Sequence, residues 1–264
     1  MDVSLSDPLA ARDLLAARDL LADSDPVTRR DSRLRGDLRE LPFLEAGGAA
    51  QMAIDEGLLD ETEAVVARRY QWTPPAVSLG KYQRLPSSAA RVLTDVGLPV
   101  VRRPSGGRAV LHGQDFEWSF AVALPARMLP FGPAAAYRLL SDAFAAALAA
   151  AGVALDESRE GRYQRSALCF ASPLRHDLLA AGEKVVAVAQ AQRGGRVLVH
   201  GSVLERRPPL ELTAALEDAF GEPWRGDGLA AAGCEVDGEA LWRAVTARLS
   251  ASLSDLAGHA VSAA

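Results

Sequence analysis

Only two cysteines occur in 264 residues, Cys169 and Cys234, and they form no C-x-x-C pair. That scarcity argues against a disulfide framework or a thiolate zinc site, and it fits a reducing compartment. Basic charge is not in excess either. The chain has 29 Lys and Arg against 34 Asp and Glu, a formal net charge of −5, so bulk electrostatics do not favour nucleic acid. No apolar run approaches the roughly 20 residues that span a bilayer. The opening stretch MDVSLSDPLAARD is acidic and lacks the basic and apolar segments of a secretory signal. These absences lead us to expect a soluble, cytoplasmic protein with no metal and neither a nucleic-acid nor a membrane partner. What remains is an ordinary globular balance, 49% hydrophobic and 24% charged, in a chain long enough to bury a sizeable core.

The first forty residues differ from the rest. LAARDL occurs at Leu9 to Leu14 and again at Leu15 to Leu20, and this six-residue period spreads the leucines around a helix instead of forming one stripe. A charge-rich stretch from Arg29 to Glu40 follows. Residues 1–40 are expected to be a partly helical or disordered extension, and residues 41–264 the folded domain with a helical C-terminal part. Within that domain, Ala49 to Arg69 is expected to be helical, with Met52, Leu58, Leu59, Val65 and Val66 near one face. PPAVSLGKYQ reads as a strand entering a turn at Gly80. GLPVVRRPSGGRAVLHGQDFEWSFAVAL reads as three strands separated by a glycine turn and a loop. Ala134 to Ala151 reads as a helix closed by Gly152. EKVVAVAQAQRGGRVLVHGSVL reads as a hairpin turning at Gly194-Gly195. Helices are expected at Pro209 to Phe220 and Gly238 to Leu253. The pattern is α+β, a mixed or antiparallel sheet flanked by helices.

Three stretches bear chemistry. In Arg102-Arg103-Pro104-Ser105-Gly106-Gly107-Arg108-Ala109-Val110-Leu111-His112, paired glycines free backbone N–H groups, and the arginines offer charge for a carboxylate, a phosphate or a phosphopantetheine arm. The plainer reading is a hairpin turn with solvated arginines. The motif is not a Walker or dinucleotide loop. Cys169, in Ser166-Ala167-Leu168-Cys169-Phe170, is a candidate nucleophile if positive charge or a base lies near it, as Arg165, Arg175 and His176 do in sequence. A small buried hydrophobe is the alternative. Lys184 opens an otherwise apolar strand. It is either an edge gatekeeper with its charge in water or a cation aimed at a developing oxyanion. His200, in His200-Gly201-Ser202, is a candidate site or core histidine.

From about Leu41 onward, six pieces in order resemble the lipoate–protein ligase and octanoyltransferase superfamily, which shares its catalytic fold with biotin–protein ligases. They are MAIDEGLL at Met52, PPAVSLGKYQ at Pro74, RRPSGGRAVLH at Arg102, CFASP at Cys169, GEKVVAVAQ at Gly182 and HGSVL at His200. Lipoate ligases typically continue the glycine pair with a third glycine and have H-D-x-G-N afterwards. Here Arg108 and His112-Gly113-Gln114-Asp115-Phe116 stand there. That difference, with the Cys-Phe pair, resembles the cysteine-dependent octanoyl-[acyl carrier protein]:protein N-octanoyltransferases.

The resemblance implies that Cys169 takes the acyl group as a thioester and Lys184 orients its carbonyl. It also implies that Arg103, Ser105, Gly106, Gly107, Arg108, His112, Gln190 and His200 line the substrate. Acyl carrier protein would be the donor, and a lipoyl-domain protein (glycine cleavage H protein or a 2-oxoacid dehydrogenase E2) the acceptor. No cofactor is implied, and ATP would enter only for the competing ligase activity. Amidotransferases between carrier domains and a non-catalytic binder of such domains are further alternatives. The family's usual Gly-Ser after the lysine is replaced by Ala187-Val188.

Overall fold

The computed structural model describes residues 38–60, 64–129, 131–157, 166–171, 173–174 and 177–262, with side chains of the last helix described as far as residue 256. Arg165, Arg175 and His176, the sequence neighbours of Cys169, lie outside the described residues, as do residues 1–37.

Two sheets make the frame. The larger contains β1 (Leu38–Glu40), β2 (Leu44–Ala46), β3 (Val65–Trp72), β7 (Glu117–Pro125), β8 (Leu178–Ala180), β9 (Glu183–Arg193) and β10 (Arg196–Leu204), in the order β1-β3-β7-β10-β9-β8 with β2 also on β3. β1 and β2 pair with β3 in parallel, and every other neighbour in this sheet is antiparallel. The smaller sheet sets β4 (Ala76–Leu79) between β5 (Val100–Arg102) and β6 (Val110–His112). The α+β expectation with a mixed sheet is met.

β3 departs from the sequence reading. A helix was expected over 49–69, but α1 spans only Gly48–Leu58 and the chain re-enters as a strand at Val65. β-branched Val65 and Val66 with Tyr70 and Trp72 suit an extended, pleated backbone. The side chains alternate accordingly: Val65 and Ala67 join the core on one face, and Val66, Tyr70 and Trp72 the core on the other. The boundary drawn at Leu41 also falls late, because Leu38 to Glu40 already pair with Val65 to Ala67. The hairpin is as read: Gly194 and Gly195 both take positive φ (57° and 78°), as a tight turn between right-twisted strands requires.

α3 (Ala135–Ala150) and α6 (Gly238–Ser262) pack together over one face of the large sheet, where Trp118, Phe120, Phe144 and Trp242 form an aromatic cluster with Phe120 and Phe144 centroids 4.5 Å apart. Full burial of each such ring contributes on the order of 2–3 kcal/mol. α1 covers the opposite face through Met52, Ile54 and Leu58. α2 (Ser87–Asp95), which the sequence reading did not anticipate, packs with α4 (Leu210–Phe220) beside the small sheet. The short helix α5 (Gly228–Ala231) contacts β9 and β10. Among the described residues no helix is long and apolar enough to cross a membrane.

Candidate active site

A cavity of about 340 Å³ lies where the two sheets meet, and both sheets contribute to its wall. Seven of the ten residues singled out in the sequence line it: Arg103, Gly107, Arg108, His112, Cys169, Lys184 and His200. Ser105, Gly106 and Gln190 do not, and the first two act on the lining residues from behind.

The glycine segment is not a hairpin turn. β5 and β6 both pair with β4, one parallel and one antiparallel, so the loop between them must cross over β4. Its arginines divide the work. Arg102 is exposed, whereas Arg103 is buried and its guanidinium is committed to the loop itself. Arg103 Nη1 donates to the Ser78 carbonyl (3.0 Å) and hydroxyl (3.1 Å), Nε and Nη2 donate to the Gly106 carbonyl, and Nη2 also donates to that of Arg108 at 2.7 Å. Burial lowers its pKa from the ordinary arginine value, and electrostatic interaction with Cys169 partly opposes that shift. Arg103 thus braces the loop from inside, and the plainer alternative of a hairpin turn with solvated arginines does not hold for it. Gly107, at φ 104°, sits against this guanidinium, and a Cβ there would lie 2.6 Å from Nη2.

Two histidines fasten this loop to the core. His200 Nδ1 donates to Asp55 Oδ2 at 2.6 Å, and its Nε2 meets the Ser105 hydroxyl at 2.6 Å. The same Asp55 oxygen accepts the Tyr70 hydroxyl at 3.0 Å, and Arg68 stands 3.7 Å from the other oxygen. His112 mirrors this arrangement: Nδ1 donates to Glu117 at 2.9 Å and Nε2 meets Ser78 at 2.8 Å, while the ring stacks on Trp72 with centroids 3.9 Å apart. A neutral imidazole donating to its carboxylate through Nδ1 leaves Nε2 to accept from the serine, so each chain runs from carboxylate through histidine and serine to the loop. Burial and the Asp55 carboxylate push the Tyr70 phenol well above its ordinary range, and burial likewise lowers the Arg68 guanidinium.

Cys169 reaches the cavity by pairing with the loop's far end. Ala109 N–H donates to Ala167 (2.9 Å) and Cys169 N–H to Ala109 (2.8 Å), a short parallel bridge. Lys184 is buried, and β9 lies inside the sheet between β10 and β8, so it is not an edge gatekeeper. Its ammonium donates to the Cys169 carbonyl at 2.7 Å and pairs with Asp177 at 2.7 Å, with Cys169 Sγ 3.8 Å away. Asp177 is fixed in turn by the N–H groups of Leu174 (2.7 Å) and Val188 (3.2 Å).

Asp55, Ser78, Glu117 and Asp177 were not singled out in the sequence. Asp55 carried a readable signal: Gln51 and Asp55, four residues apart, fall on the buried side of α1. Asp177 had none, lying in a loop seven residues before Lys184. Ala187 and Val188 line the cavity, so the departure noted in the sequence falls on its wall.

A family model described as the lipoyl protein ligase A/B catalytic domain matches residues 48–217, which spans all of these groups. The chain belongs to the lipoyl protein ligase A/B catalytic-domain family. Among curated relatives of this family member, an octanoyltransferase LipM from Anoxybacillus flavithermus is 33% identical over 61% of this chain and 64% of its own length. One from Carboxydothermus hydrogenoformans is 36% identical over 60% and 61%. The matches therefore span less than two thirds of these relatives. The fold is that of solved lipoate ligases. Lipoate-protein ligase A bound with ATP matches at TM-score 0.62 and 18% identity, over 84% of this chain and 93% of that one. A bi-partite lipoate protein ligase from Thermoplasma acidophilum matches at TM-score 0.57 and 17% identity, over 84% and 91%.

Proposed function

We propose that the chain is an octanoyltransferase that carries the acyl group on Cys169 between two protein carriers, from acyl carrier protein to a lysine of a lipoyl domain. The observation that carries this reading is the pairing of a thiol and a buried ammonium, 3.8 Å apart, on the wall of one cavity. The names of the curated relatives support it.

In the first half-reaction the Cys169 thiolate attacks the donor thioester carbonyl, the tetrahedral adduct collapses with cleavage of the donor C–S bond, and the carrier sulfur leaves as a thiolate that takes its proton from solvent. Exchanging one thioester for another is close to thermoneutral, so no ATP is required to activate the acyl group. In the second half-reaction a neutral lysine amine attacks the Cys169 thioester, the C–S bond breaks as the amide forms, the cysteine leaves as a thiolate, and the proton lost by the amine passes to solvent. Splitting the transfer means the two bulky carriers need not bind together. Lys184, fixed by Asp177 and the Cys169 carbonyl, presents positive charge where the carbonyl oxygen becomes negative. It also favours the uncharged form of the approaching amine. Gly107, Arg108, His112 and His200 are assigned to the acyl and pantetheine path, with Arg103, Ser105 and Gly106 holding that wall in place; Gln190, expected there from the sequence, lies off the cavity wall.

The test is transfer without ATP from octanoyl-acyl carrier protein to an apo lipoyl domain, comparing wild type with Cys169→Ser. Octanoylated domain from wild type alone supports the reading. Modification by both proteins, and only with ATP and free octanoate, would replace it with a ligase.

A further inference from the structure

A second, more open cleft of about 520 Å³ adjoins the reaction cavity, and Gly107 and Arg108 belong to both walls. Tyr82, Arg84 and Ala167 also line it. Ala167 stands in the cleft and Cys169 in the cavity, two residues along the chain, so their Cα atoms are at most about 7 Å apart.

The cleft is positive on a protein of net charge −5. Arg84 and Arg108 line it, and Lys81 and Arg102 lie on the adjoining chain. Glu222 is the acid among its described lining residues, and both of its oxygens are engaged, by the Ser166 hydroxyl (2.6 Å) and the Ala167 N–H (2.9 Å). The rim is also held in shape without any ligand. Arg102 Nη1 donates to the carbonyls of Gly80 (2.7 Å), Lys81 (3.1 Å) and Gln83 (2.9 Å), and Gln83 Nε2 donates to Ala167 (2.9 Å). On this fixed turn Tyr82 is 81% exposed, with the Lys81 ammonium 5.6 Å from its ring centroid. An exposed aromatic beside exposed cations on a braced turn suits a flexible arm that carries a phosphodiester. A carrier lysine, cationic until it loses its proton, gains nothing from such a rim.

We propose that this cleft receives the phosphopantetheine arm of the acyl donor, with Lys81 and Arg84 holding its phosphodiester while the thioester end enters the cavity past Gly107. The inference rests on the acyl-transfer reading and adds the route and the phosphate subsite. It separates donor from acceptor, since only the donor carries a phosphate.

The test compares Cys169 acylation rates for octanoyl-acyl carrier protein, octanoyl-4′-phosphopantetheine and octanoyl-pantetheine, in wild type and in Lys81→Gln/Arg84→Gln. The double variant should lose roughly tenfold in kcat/KM with both phosphate-bearing donors at low salt, with the gap closing as ionic strength rises. Octanoyl-pantetheine, which lacks the phosphate, should react equally well with both proteins. An equal loss on all three donors, or no loss on any, would overturn the assignment of this cleft. If wild type is not acylated even by octanoyl-pantetheine, the acyl-transfer reading fails, and the cleft assignment fails with it.

Discussion

Replacing Lys184 by Met separates its contribution to stability from its contribution to chemistry. The ammonium and the Asp177 carboxylate are 1% and 3% exposed and 2.7 Å apart, so neither is solvated by bulk water. Removing the lysine leaves a buried carboxylate held, among the described residues, by two backbone N–H groups. Breaking a buried pair on one side costs about 3–5 kcal/mol. For a domain of this size each kcal/mol shifts Tm by roughly 2–4 °C, so a fall of roughly 6–20 °C is expected. Those two N–H donors favour the lower end. Adding Asp177→Asn removes the orphaned charge while keeping an amide oxygen for one N–H, so the double variant should regain at least half of the lost stability. Activity should not return with it. Loss of one preorganised donor to a developing oxyanion lowers turnover by about 10²–10³, and neither variant restores that group. Thermal unfolding and acyl transfer measured on both variants decide the matter. A single variant that melts like wild type would refute the reasoning, as would a double variant that recovers its rate together with its Tm.

Other consequences follow from the same geometry. Ser105→Ala removes the hydroxyl between His200 and the glycine loop. It should cost about 1 kcal/mol of stability and lower acyl transfer, as thermal unfolding and steady-state kinetics would register. Gly201→Ala would place a Cβ 2.0 Å from the Ala187 carbonyl oxygen and 2.7 Å from the Phe120 ring. The strain should reach about 3 kcal/mol or more and displace the wall at Ala187, so both Tm and activity should fall. Tyr70 has a phenol pKa raised well above the ordinary value near 10. In the unfolded chain that phenol ionises first, so its contribution is intact below pH 10 and stability falls as pH rises beyond it. Tyr70→Phe should flatten that alkaline limb in a series of unfolding curves.

Much of the fold was legible because local chemistry and tertiary placement agree. The β-branched runs on either side of Gly194-Gly195 pair as written, and alanine-rich α3 ends before Gly152. The misread helix lay where they diverge. Between Leu59 and Ala64 the sequence DETE has neither Gly nor Pro to mark a stop, so helical periodicity seemed to continue into β3. For the site, residue types were legible and partners were not. The loop, the thiol and the lysine stood out as motifs. Arg103 read as a donor to substrate or to solvent, yet its guanidinium is engaged by the carbonyl of Ser78 in β4 and by those of Gly106 and Arg108 in its own loop. Asp177 and Glu117 gain meaning only from what lies beside them in space, and sequence spacing carries no trace of those contacts.

The most direct test of the account is intact-protein mass spectrometry after mixing the enzyme with octanoyl-acyl carrier protein in the absence of ATP, followed by addition of an apo lipoyl domain. The account predicts a mass gain of one octanoyl group on wild type, mapped to Cys169, absent from Cys169→Ser, and passed to the lipoyl domain on mixing. A wild-type protein that stays unmodified while the lipoyl domain becomes octanoylated would contradict it.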